Sequence, residues 1–155
     1  MRVTKAVAPN VAVNHDGVRA PVAAARLAAA GATVLRAERA SAALLSITLL
    51  SRSRMAAMNR RHLGHAGATD VIAFGFRDPD GAVIGDVYVC PEVAAANARR
   101  LSVPVREELL RLVVHGTLHT LGYDHPAGES RTGSPMWKRQ EQLLARVLRT
   151  ARRRA

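Results

Sequence analysis

The stretch that most constrains this chain is HGTLHTLGYDH, residues 115–125, which holds three of its six histidines. His115 and His119 stand four apart near the end of VREELLRLVVHGTLHTL, a run whose apolar residues recur at helical spacing. Both imidazoles therefore leave one helix face a turn apart. Gly122 permits the left-handed backbone that ends a helix, and the turn through Tyr123 and Asp124 returns His125 toward the first two. A lone histidine on an apolar helix is most simply a core residue, but three at this spacing predict a shared metal ion. Three imidazoles with a fourth position left to water form a catalytic zinc site, whereas a structural site closes with a fourth protein ligand.

The spacing His-x-x-x-His-x-x-Gly-x-x-His is similar to the zinc motif of the metzincin peptidases, with one difference. Gly116 stands where those enzymes carry a general-base glutamate. Glycine cannot take a proton, and its bare alpha carbon is expected to open space beside the metal. The whole string resembles the signature of the YbeY family, bacterial metal-dependent endoribonucleases of ribosomal RNA maturation. Two further blocks agree in order: MNRRHLGHAGATDVIAFGF, from Met58 to Phe76, and GDVYVCPEVAAANA, from Gly85 to Ala98. Together the blocks span roughly the last two thirds of the chain. The family often has an arginine just before the glycine of the first of these blocks, and here that position is Leu63.

At 155 residues the chain suits one domain over its whole length, 1–155, with a basic tail from about residue 150. The apolar run in SAALLSITLL is broken by Ser46 and Thr48 and is too short to span a bilayer. No apolar signal core precedes it, and the single Cys90 has no internal disulfide partner, so a reducing cytoplasm is expected. With 23 basic against 12 acidic residues, the formal net charge is +11 and a polyanion is the expected partner. Aromatic residues number only five, Phe74, Phe76, Tyr88, Tyr123 and Trp137. That scarcity argues against a sheet that stacks several bases and predicts contacts to phosphates and sugars.

Val11 and Val13 alternate in VAPNVAVNHDG, which reads as a first strand ending at Asp16-Gly17. Leu27, Gly31, Val34 and Leu35 follow a helical period, giving a helix from about Pro21 to Arg39 with Gly31 in close packing. ALLSITLLS is an apolar central strand, and SRSRMAAMNRRHLG a helix capped by Ser51 or Ser53 and ended by Gly64. TDVIAFGF and AVIGDVYVC flank the turn RDPDG and predict an antiparallel hairpin. PEVAAANARRL starts a short helix at its proline; Glu107 and Glu108 then open the histidine-bearing helix, favourably for its dipole. PAGESRTGSP is a loop by composition, and MWKRQEQLLARVLRTARRRA a final helix. The order predicts an α/β or α+β fold with one mixed sheet of about four strands packed with helices.

The chemistry expected of such a site is that of one Zn2+ per chain held by His115, His119 and His125. Neutral ligands leave the ion its full charge, which lowers the pKa of its water from roughly 16 to about 7, so no protein base is obligatory. Candidates for phosphate or RNA contact are Arg60, Arg61 and His65, beside Leu63; a solvated helix end explains them equally. Asp124 either orients a ligand histidine or caps the turn. Asp70 reads as a strand-edge hydrogen-bonding residue, Cys90 as a small buried hydrophobe and Met136 as a core residue at a helix start. The resemblance implies single-strand-specific cleavage in ribosomal RNA processing, at the 3′ end of 16S rRNA. It further implies ribosomal RNA, or the ribosome's small subunit, as partner, with neither DNA nor membrane. Imidazoles suit zinc, nickel and copper alike. A non-catalytic ribosome-assembly factor with a structural zinc, and a zinc peptidase, are the competing readings.

Overall fold

The structure is a computed structural model that describes residues 7–125 and 132–153. The elements run β1 (Asn10–His15), α1 (Ala24–Ala37), β2 (Ala43–Leu49), α2 (Arg52–Leu63), β3 (Val71–Arg77), β4 (Val83–Val89), α3 (Pro91–Leu101), α4 (Val105–Thr120) and α5 (Pro135–Arg153). They form an α+β fold around a single four-stranded mixed sheet ordered β1-β2-β4-β3. β1, β2 and β4 are parallel and β3 is antiparallel to β4, as the RDPDG turn predicts. In that turn Asp78 Oδ1 accepts from the amides of Asp80 and Ala82 at 2.8 and 3.1 Å, the self-capping for which aspartate is favoured in turns.

Strand alternation decides which face is covered. On one face Ala43, Leu45, Ile47 and Leu49 of β2 stand beside Val83, Val87 and Val89 of β4, and all are buried under α1 and α4. These residues and Leu27, Leu109, Leu110, Val113, Leu118, Met136 and Leu143 form the main core. A smaller cluster of Leu50, Met55, Ile72 and Cys90 lies under α2 at one end of the other face.

α4 sits at the centre, packed on β3, β4, α1, α3 and α5, and is buried almost continuously from Glu108 to Leu118. Absent side chains allow it to come this close to the sheet. A Cβ on Gly116 would lie 2.5 Å from Val87 Cγ1, and the cross-strand pair Gly75 and Gly85 makes room for Thr120. Gly116 therefore does not open space beside the imidazoles, as expected from sequence; its alpha carbon is pressed against β3 and β4. Gly31 does make its expected close contact, since a Cβ there would meet Leu45 Cδ2 at 2.8 Å.

Two boundaries differ from the sequence reading. α1 begins at Ala24 rather than near Pro21, because Val22 is turned into the core and the chain bends there before the helix starts. α5 continues through Arg153, so the basic end expected from about residue 150 begins inside a helix. Ser51, not Ser53, caps α2 by accepting from the Arg54 amide at 3.3 Å, and Gly64 ends it in the left-handed conformation at φ 67°. Most of the PAGESRTGSP segment lies outside the described residues. Among the described residues no helix is long and apolar enough to cross a membrane.

Candidate metal centre

α4 presents His115 and His119 on one face, and Leu121 and Gly122 turn the chain back immediately afterwards. Gly122 has φ 97°, its amide donates to the His119 carbonyl at 3.0 Å, and the Tyr123 amide donates to Leu118 at 3.2 Å. The turn carries His125 back over the helix end. One ring nitrogen from each of His115, His119 and His125 lies within 4.8 Å of the others, and the ring centroids are 4.6 to 5.2 Å apart.

The other ring nitrogens bear on which atoms could hold a metal. His119 Nδ1 lies 2.9 Å from the Tyr123 carbonyl oxygen, which can only accept, so in a neutral ring Nδ1 carries the proton and Nε2 the lone pair. His115 Nδ1 faces Gln140 Oε1 at 2.6 Å in the same way. The two Nε2 atoms are then both acceptors, turned toward each other at 3.1 Å. Two ligands of a tetrahedral zinc, each at about 2.0–2.1 Å from the ion, stand at nearly this separation. The donor set fits a transition metal ion, and it shows the outer hydrogen bonds that orient metal-binding histidines.

Neighbouring groups hold this arrangement. Tyr123 donates its hydroxyl to Glu38 at 2.9 Å, and Arg139 donates to the other oxygen of that carboxylate at 2.6 Å. The hydrogen bond to Glu38 holds the Tyr123 phenol above its ordinary range, with burial acting in the same direction. The turn bearing His125 is thereby tied to α1 and α5. Below His115 on α4, the buried Glu108 carboxylate accepts from Arg111 at 2.8 Å, and Arg111 also pairs with Glu141 at 3.3 Å. Burial pushes the Glu108 carboxyl above its ordinary range, against the opposing pull of Arg111.

The imidazoles open into a pocket of about 290 Å³ lined by Leu63, Asp70, Val71, Ile72 and Ala73. Leu63, at the end of α2, thus stands at the mouth of the site. Arg60, Arg61 and His65 are exposed and do not line this pocket; Arg61 lines a groove beside α2 instead. Asp70 lines the pocket while accepting from the Val71 amide at 2.8 Å and Asn97 at 3.1 Å, the strand-edge bonding expected of it. Asp124 caps the turn by accepting from the His125 amide at 2.8 Å. Cys90 is fully buried in the smaller cluster, and Met136 belongs to the main core. Sequence reasoning missed Gln140. Its signal was a lone polar residue in the apolar stripe Met136, Leu143, Leu144 and Val147 of the last helix.

Residues 17–148 match the family described as Endoribonuclease YbeY. An Endoribonuclease YbeY of Anaeromyxobacter is 38% identical over 141 residues, covering 88% of this chain and 71% of the relative. The Thermotoga petrophila protein of the same description is 34% identical over 103 residues, covering 66% and 67%. A solution structure from Thermotoga maritima superposes over 93% of both chains with a TM-score of 0.64 and 24% identity, and shares the fold. The sequence match over most of the chain is decisive: this protein belongs to the YbeY family of endoribonucleases.

Proposed function

We propose that the protein is a zinc-dependent endoribonuclease that cleaves single-stranded regions of ribosomal RNA, including the 3′ end of 16S rRNA, in the cytoplasm during assembly of the small subunit. The observation that supports this best is the convergence of His115, His119 and His125, with Nδ1 of the first two engaged by Gln140 and the Tyr123 carbonyl. These three residues would hold a zinc ion, which would supply a Lewis acid and acidify water at neutral pH. The chain's part is to fix the three rings, to keep one side of the site open, and to guide a phosphodiester into the pocket below Leu63. Gln140 and Tyr123 do the first, at no cost in reorganisation when substrate arrives. Arg60, Arg61 and His65, exposed at and just beyond the end of α2, are the proposed contacts to phosphates flanking the scissile one.

The peptidase reading loses ground, because position 116 carries no carboxylate and its alpha carbon is packed against Val87. One observation favours a non-catalytic assembly factor: among the described residues no arginine or lysine lines the pocket, and Leu63 lines it instead. Incubating metal-replete protein separately with structured ribosomal RNA and with an unstructured protein separates the readings. Cleavage of RNA alone is expected; cleavage of neither supports the assembly factor.

A further inference from the structure

The five aromatic residues are scarce but not scattered. Phe74, Phe76 and Tyr88 share the sheet face that α1 and α4 leave open. Register sets this face in rows: Leu44, Ile84 and Phe76; Ser46, Asp86 and Phe74; Thr48, Tyr88 and Ile72. α2 covers the last row through Met55 and Met58 and reaches the middle row only at His62, beside Phe74. The other rows are open, with Phe76 62%, Leu44 55%, Ile84 43% and Phe74 38% exposed. The rings meet edge to face, His62 with Phe74 at 5.4 Å and Phe74 with Tyr88 at 6.2 Å. Beside them a groove of about 330 Å³ runs under α2, lined in part by Tyr88, His62, Arg54 and Arg61.

This strip is continuous with the histidine pocket around the edge strand β3. Ala73 and Leu63 line the pocket, whereas their chain neighbours Phe74 and His62 belong to the aromatic strip. Alternation along β3 turns Ala73 to the imidazole side and Phe74 to the open side. A strand lying on the open face and passing over β3 at this point therefore arrives at the three imidazoles.

We propose that this open sheet face is the platform that holds single-stranded RNA, with unpaired bases stacked on Phe74, Phe76 and Tyr88 and phosphates taken by Arg54 and Arg61. The proposal rests on the RNA-cleaving reading of the histidine site. Rings accept bases of any sequence only where those bases are unpaired, so such a surface selects single strands over duplex. Asp86, in the middle row beside Phe74, is available to accept from base amino groups. The exposed pair of Arg54 with Asp16, at 2.9 Å, is of the weakly held kind that a phosphate displaces. A second copy of the chain is the rival occupant, but it would set Arg54 and Arg61 against their own duplicates on molecules of net charge +11.

The test uses the full, metal-loaded chain with a fluorescent oligoribonucleotide, single-stranded and as a duplex, and reads binding and cleavage separately. Phe74→Leu keeps apolar bulk without a ring and is expected to weaken single-strand binding about tenfold or more, whereas Phe74→Tyr retains it. Duplex binding, weaker at the outset, is expected to be unchanged in both. His119→Ala is expected not to cleave while its remaining single-strand binding still depends on the Phe74 ring. Equal single-strand affinity of Phe74→Leu and wild type overturns the proposal. So does a wild-type dimer in sedimentation that Phe76→Ser dissociates without changing RNA affinity. Loss of binding in Phe74→Leu when the wild type itself releases no products supports the platform and removes the cleavage reading.

Discussion

Nδ1 of His115 on α4 lies 2.6 Å from Oε1 of Gln140 on α5, and Gln140 is only 1% exposed. This bond fixes the His115 ring and its tautomer from an element 25 residues away in sequence. Gln140→Leu keeps the packing but frees the ring, and metal affinity is expected to fall about 10- to 100-fold. Competition with a chelator measures it. The same change leaves a buried N–H without its acceptor, so the metal-free protein is expected to lose about 1–3 kcal/mol of stability.

Gly116 is a packing residue. A Cβ there meets Val87 Cγ1 at 2.5 Å and Val71 Cγ2 at 3.2 Å, so Gly116→Ala is expected to destabilise by about 1–3 kcal/mol as the helix is forced off the sheet. Denaturant midpoints check this, and adding Val87→Ala is expected to restore part of the loss. Gly116→Glu is expected to unfold the site rather than to provide a base.

Leu63 is 47% exposed at the mouth of the histidine pocket, so Leu63→Arg is expected to cost little stability. A guanidinium there adds a charge-assisted contact of about 1.5–3 kcal/mol to a bound phosphate, and RNA cleavage is expected to rise about tenfold or more. Rates at equal protein and metal concentration decide it; an unchanged rate places the scissile phosphate out of reach of position 63.

Much of this fold was legible because its signals are local. The period of α4, the turn glycine at 122, the hairpin at RDPDG and a serine cap at 51 or 53 each act within a few residues. What escaped the sequence depends on contacts between distant segments. The Gln140 bond to His115 joins two helices, and the gathering of Phe74, Phe76 and Tyr88 on one face follows from strand register. Gly116 was misread for the same reason: the identity of the residue is local, but the Val87 side chain that occupies its space comes from another strand.

Burial holds the Glu108 carboxyl above its ordinary value of 4.5, so the folded chain binds this proton more tightly than the unfolded chain. Glu108 therefore contributes stability below that value, and the contribution is lost as pH rises through the raised one. Melting temperatures across this window are expected to decline less steeply with pH in Glu108→Gln than in wild type. Parallel curves would show that Arg111 compensates the buried charge fully.

If His115, His119 and His125 hold one metal ion on which RNA cleavage depends, elemental analysis of purified wild type and His119→Ala, paired with an RNA cleavage assay on the same samples, reads both properties at once. About one transition metal per chain with cleavage in wild type, and neither in His119→Ala, is the expected result. Wild type that carries no metal and takes up no added zinc, or cleavage that survives in His119→Ala, contradicts it.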